Sequence, residues 1–146
     1  MSDNSKKRAI NIDNVINAEI LAYAIGRRKR AVARVRMYPG IGKIIINGKP
    51  LEKYVYFESK VREFLKPLEI AGVKENHDFT VKVSGGGASG QLDAIKHGIA
   101  RCIAKINDDM KKTMRQHGFL TRDPREKERK KVYRVGARKS PQYSKR

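Results

Sequence analysis

The sequence predicts an α+β domain, a mixed sheet backed by helices, that carries a long extended basic C-terminal tail. Three patterns predict it. Apolar residues alternate with polar ones over 31–38 and again over 79–83, they recur at helical spacing from Leu92 onward, and from Thr121 to Arg146 they all but disappear. Residues 1–18 read as a flexible leader, 19–118 as the globular α/β body and 119–146 as the tail.

In chain order, Ile20, Leu21, Tyr23 and Ile25 form a short apolar run before the basic cluster Gly26-Arg27-Arg28-Lys29-Arg30. Strict alternation follows, with Ala31, Ala33, Val35 and Met37 on one face and Val32, Arg34, Arg36 and Tyr38 on the other, so this segment is a strand. Pro39-Gly40-Ile41-Gly42 signals a turn, Ile44-Ile45-Ile46 a β-branched strand and Asn47-Gly48 a tight turn, which together predict an antiparallel pair at the front of a sheet. Val61, Phe64, Leu65 and Leu68 have helical spacing, and Pro67 is expected to interrupt or split that helix. Phe79, Val81 and Val83 mark another strand, which runs into Gly85-Gly86-Gly87. Leu92, Ile95, Ile99, Ile103 and Ile106 then step along one face of a long helix that covers the sheet. Residues 110–118 form a further short helix stopped by Gly118.

Charge narrows the class of function. The chain has 34 Lys+Arg against 15 Asp+Glu, a formal net charge of +19, which suits a protein that neutralises phosphates. Arg122, Arg125, Lys127, Arg129, Lys130, Lys131, Arg134, Arg138, Lys139, Lys145 and Arg146 crowd the tail against Asp123, Glu126 and Glu128. Such a segment buries too little apolar surface to offset its ordering entropy, so it is expected to take shape on an anionic partner, and nucleic acid is the first choice. No window has the apolar length of a spanning helix, and no segment sets a bulky apolar face against a basic one, so a membrane is not the partner. One cysteine rules out an internal disulfide, and the start has no signal-peptide core; the expected location is cytoplasmic. A body of roughly 100 residues holds one core.

Two clusters could bind phosphate. Gly85, Gly86 and Gly87 stand between a strand and a helix, where backbone N–H groups and the helix N-terminus could face an anion, of RNA or of a nucleotide. The same glycines could serve only a tight turn, and both readings stay open. The Gly-Lys-Ser/Thr ending of a nucleotide loop is absent, with Ser89-Gly90-Gln91 in its place. Arg27, Arg28, Lys29, Arg30, Arg34 and Arg36 form the second cluster. It contains no acid, whereas a merely solvated strand face mixes both signs to avoid like-charge repulsion. His77, His97 and His117 lack metal-ligand spacing and read as surface or loop residues; Cys102 reads as a core residue. Asp93, Asp108, Asp109, Glu58 and Glu63 are scattered and belong to no nucleophile context, so neither catalysis, a metal nor a cofactor is expected.

Several of these blocks, in this order, resemble the bacterial-type ribosomal protein S9 family of the small subunit. They are residues 26–35, the turns at Gly40-Ile41-Gly42 and Asn47-Gly48, residues 84–91, Leu120-Thr121-Arg122-Asp123 with Arg125, Glu128-Arg129-Lys130-Lys131, Ala137-Arg138-Lys139, Gln142 and the ending Ser144-Lys145-Arg146. The resemblance covers roughly residues 20–146 and departs at Tyr133, in a stretch where many members have glycine. It implies the fold of the second domain of ribosomal protein S5, a seat on small-subunit rRNA in the subunit head among other ribosomal proteins, and a tail threaded through RNA. It also implies that Ser144, Lys145 and Arg146 reach the anticodon stem of peptidyl-site tRNA. The alternatives weighed against it are a nucleotide-dependent small-molecule kinase, which would need a metal-binding carboxylate and a base facing the glycine loop, and a general nucleic-acid-coating protein, which would need charge but no ordered motifs.

Overall fold

A computed structural model describes residues 19–55, 58–73 and 75–145; the leader 1–18 and Arg146 lie outside them. Five strands, β1 (Ala22–Arg28), β2 (Ala31–Pro39), β3 (Ile44–Ile46), β4 (Lys49–Pro50) and β5 (His77–Ser84), form one sheet in the order β1-β2-β5-β3-β4. Among the described residues four helices, α1 (Leu51–Tyr54), α2 (Glu58–Ala71), α3 (Ala88–Ile103) and α4 (Asp108–Gln116), accompany it. The mixed α+β architecture expected from the two periodicities is therefore present.

The alternation of β2 sorts its side chains as expected: Ala31, Ala33, Val35 and Met37 are buried, while Arg34 and Arg36 are exposed. The inner face also takes Phe79, Val81 and Val83 from β5 and Ile44 and Ile46 from β3. Leu92, Ile95, Ile99 and Ile103 of α3, Phe64 and Leu68 of α2 and Met114 of α4 close the core over it. Each large side chain fully buried here contributes about 1.5–3 kcal/mol. Cys102 lies in this core, its thiol pushed up to about 12 by burial.

Three expectations are corrected. The antiparallel pair expected across Pro39–Gly42 does not form, because β5 lies between β2 and β3, antiparallel to the first and parallel to the second. A nonlocal contact sets this course: the Asp78 carboxylate accepts from the N–H groups of Ile41 (3.0 Å) and Lys43 (2.7 Å), and Gly40 N–H donates to Asn76 O. The loop wraps the start of β5 instead of folding back. Asn47 then lengthens the parallel ladder with its side chain, accepting from Val83 N–H at 2.9 Å and donating to Val83 O at 3.0 Å.

Pro67 does not interrupt α2, which runs through it. Proline removes one intrahelical hydrogen bond, but here its ring is buried on the face that also carries Phe64, Leu68 and Ala71. Ile106 drops out of the apolar stripe, because α3 ends at Ile103 and leaves Ile106 exposed. The short helix near the end is present, and Gly118 follows it at φ 72°.

Side chains of α3 and of the turn just after it cover the outer edge of β1. His97, Arg101 and Lys105, four residues apart and so on one side of the chain, meet three backbone groups of that edge. Arg27 N–H donates to His97 Nδ1 (3.4 Å), Arg101 Nη1 donates to Ile25 O (2.5 Å) and Lys105 Nζ donates to Tyr23 O (2.7 Å). An edge whose polar groups are taken offers little template for strand addition.

Candidate nucleic-acid interface

On the outer face of the sheet, register decides which charges meet. Arg34 stands between Ile25 of β1 and Lys82 of β5, and Arg36 between Tyr23 and Thr80. Cross-strand neighbours of like charge repel, and the Arg34–Lys82 pair has no acid beside it on these three strands. Asp78, at the far end of the same face, is engaged by the 41–43 backbone. The side chains line an open groove of about 550 Å³ that also includes Tyr23 and Ile25. It presents planar guanidinium forks and an ammonium to an anion, with an aromatic ring at its side. Lys82 is absent from the residues picked by sequence; its alternation with Val81 and Val83 showed its face, but not that this face is Arg34's.

A second locus unites the two clusters that the sequence keeps apart. Gly85 and Gly86 have φ of 73° and 65°, and side chains there would press on Arg30 O (2.6 Å) and on Ala31 (3.1 Å). Both glycines therefore serve the turn and the close approach of two backbones. The Gly85 carbonyl accepts from Gln91 Nε2, and Gln91 Oε1 accepts from the Tyr54 hydroxyl. Gly87 has open space around it and begins α3, whose first turn contains no acid. The β1–β2 turn lies against that helix start, with the Lys29 side chain beside Gly90 and the Arg30 backbone beside Gly85, and both Lys29 and Arg30 are exposed.

Arg28 is turned elsewhere. Its side chain is 17% exposed, and its donors reach Asp93 Oδ2 (3.5 Å), Asp123 Oδ2 (3.0 Å) and Arg125 O (2.6 Å). It thus joins β1 and α3 to the root of the tail. Asp123 is held at about 2, chiefly by the Arg125 side chain and N–H that donate to it, with the Arg28 charge adding to them. Arg27 and Arg122, both exposed, line an open cleft together with Arg28, Asp93 and Asp123.

His97 is the functional neighbour that sequence reasoning missed, since it is half-buried on α3 rather than a surface or loop residue. Its Nδ1 accepts from Arg27 N–H and its Nε2–H donates to Leu120 O (3.2 Å), an arrangement only the neutral ring can satisfy. Burial lowers its pKa, and the charges of Arg101 and Arg122 add to that. An unfolded His97 protonates near the ordinary value of 6.5, while the folded one resists, so its contribution to stability is present above that pH and declines as pH falls below it. Thermal melts at about pH 7.5 and about pH 5.5 should show the loss in the wild type and a smaller one in His97→Gln, whose amide keeps both hydrogen bonds. Equal losses in the two proteins would remove His97 from this account.

Phe119 and Leu120, assigned by sequence to the tail, pack against the core, with Phe119 stacked on His117. From Thr121 to Lys145 no helix or strand forms, and Arg122, Arg125, Arg129, Lys130, Lys131, Arg134, Arg138, Lys139, Ser144 and Lys145 are all exposed. Arg138 and Lys131 pair with Glu128 within the tail. Among the described residues no cluster of His, Cys, Asp or Glu could hold a metal, and no helix is long and apolar enough to cross a membrane.

A cation-lined sheet face, a basic turn at a helix start and a long basic arm define an RNA-binding protein of the ribonucleoprotein class. The match to ribosomal protein S9/S16 spans residues 26–146, and the chain belongs to that family. It is 48% identical over 131 residues to small ribosomal subunit protein uS9c of Gracilaria tenuistipitata var. liui, covering 89% of this chain and 96% of that protein. It is 46% identical over 125 residues to small ribosomal subunit protein uS9 of Trichormus variabilis, covering 85% and 91%. These relatives are ribosomal proteins and not enzymes, which sets the kinase reading aside.

Proposed function

We propose that this protein is a structural constituent of the small ribosomal subunit, seated in the subunit head on small-subunit rRNA and in contact with neighbouring ribosomal proteins. The observation that carries the reading is the Arg34–Lys82–Arg36 face: like charges are held side by side on a rigid sheet with no acid beside them on strands β1, β2 and β5, a costly arrangement unless phosphates neutralise it. The tail supplies the remaining contacts by folding onto RNA, and shape rather than sequence selects the site. We read the fold as the one shared with the second domain of ribosomal protein S5; three strands, a helix, a strand and a helix follow one another around the mixed sheet, with β4, α1 and α4 as short additions. At the tail's end Ser144, Lys145 and Arg146 contact the backbone of the peptidyl-site tRNA anticodon stem. They hold it in frame by charge-assisted hydrogen bonds and do no chemistry. Of these, Ser144 and Lys145 are exposed.

Sedimentation of lysate through a salt-washed gradient tests both parts. The full chain should co-migrate in stoichiometric amount with small subunits and whole ribosomes, and so should a chain lacking residues 144–146. Subunits carrying the shortened chain should bind peptidyl-site tRNA more weakly by about 1–3 kcal/mol. A protein left at the top of the gradient would refute the ribosomal reading, and unaltered tRNA affinity would refute the role of the tail end.

A further inference from the structure

Between Glu128 and Lys139 the tail is folded into a small closed loop. Glu128 holds its base, with Oε2 accepting from Arg138 Nε at 2.9 Å and Oε1 lying 3.3 Å from Lys131 Nζ. Above it, Arg134 N–H donates to Lys131 O (3.3 Å), Arg134 Nη1 to Arg138 O (3.0 Å) and Val135 N–H to Lys139 O (2.9 Å). These groups pair with one another within the loop, whereas the residue at the tip, Tyr133, is 93% exposed and its ring packs in no aromatic contact among the described residues. Its φ is 58°, in the left-handed region where a residue with a side chain is disfavoured and glycine is not. The loop therefore holds an aromatic ring in open solvent at a position where its backbone would be easier without one. Val132 and Val135, also exposed, flank it.

We propose that Tyr133 is a base-stacking residue, its ring lying against an unpaired nucleobase of small-subunit RNA while the loop's cations hold the adjoining phosphates. The inference rests on the reading of the tail as an rRNA-bound arm and adds a specific ligand to it. Residues 128–139 contain Arg129, Lys130, Lys131, Arg134, Arg138 and Lys139 against the single acid Glu128. That charge favours a ligand that is both anionic and flat over an apolar protein pocket. Every base has a face for a ring, so stacking needs no particular sequence, and an unpaired base is the part of a folded RNA open to it. The preformed loop lowers the ordering entropy of the contact, since the ring is already presented when the arm arrives.

The chain contains no tryptophan, so Tyr133→Trp places a single indole reporter at the tip. The full-length variant is added to small-subunit particles prepared without this protein. Stacking on a base should quench the indole emission strongly on binding. In the same assay Tyr133→Phe should bind as the wild type does, and Tyr133→Leu about 10- to 100-fold more weakly, the loss expected when one base loses its aromatic partner. An indole that stays bright and solvent-like in the complex overturns the proposal, as does one that shifts to shorter wavelength without quenching, the mark of an apolar pocket. Equal binding by the Phe and Leu variants overturns it as well. If wild-type protein does not bind the particles, the ribosomal reading itself fails and this inference falls with it; wild-type binding with an unquenched reporter removes the inference alone.

Discussion

Replacing Gly26 with valine is expected to destabilise the folded body severely. Gly26 lies in β1 where α3 crosses it, and a Cβ there would fall on the carbonyl oxygen of Ala94 and within 2.9 Å of Gly98 Cα. The obstacles are backbone atoms of a buried helix, so no rotamer change can make room. A Cβ on Gly98, facing the same junction, would meet Val35 Cγ2 at 2.6 Å, and a side-chain methyl has more freedom to yield. Forcing β1 and α3 apart also breaks the edge contacts of His97, Arg101 and Lys105. The expected loss is at least about 3 kcal/mol for Gly26→Val and less for Gly98→Ala. In a body of this size that lowers Tm by about 12 °C or more. Melting followed by circular dichroism decides it: a Gly26→Val protein within a few degrees of wild type would show that the backbones need not touch.

Ending the chain after Thr121 should have the opposite profile, an intact fold with little affinity for RNA. Phe119 and Leu120 remain, so the packing against the core and the Leu120 carbonyl that His97 uses are kept. Arg28 loses Asp123 and the Arg125 carbonyl but keeps Asp93, so the shortened protein should stay folded and melt only a few degrees below the wild type. Every cation from Arg122 onward is removed with the tail, and each phosphate that then keeps its counterions should flatten the dependence of log K on log salt by roughly 0.7–0.9. If the tail neutralises about six phosphates or more, affinity for small-subunit RNA should fall by about 10³-fold or more at moderate salt. Titrations of both proteins at several salt concentrations measure the two slopes. Parallel slopes would mean that the sheet face, not the tail, dominates binding, and would require the weights of the two surfaces to be exchanged.

Much of the interface could be read from local pattern. Arg34 and Arg36 share a face because side chains alternate along any strand, and residues 121–145 form no helix or strand because they have little to bury. Arg28 shows where such reading stops. In the sequence it is one of a run of cations; in the fold it faces Asp93, Asp123 and Arg125, residues 65 to 97 positions away. Lys82 and His97 were missed for the same reason, since each owes its role to a neighbour on another element.

By itself the sequence determined the class of the protein, the strands β2, β3 and β5, the helices α2, α3 and α4 and the sign of its surface, because composition, period and charge are properties of short stretches; β1 showed only as an apolar run, and β4 and α1 did not show. The tertiary structure alone decided that β5 enters between β2 and β3, through the Asp78 carboxylate that captures the 41–43 backbone. It alone made Pro67 tolerable by burying its ring, and it brought Lys29 and Arg30 to the start of α3. Each of these outcomes depends on contacts between residues far apart in the chain, and a local period contains no information about which distant partner closes over it.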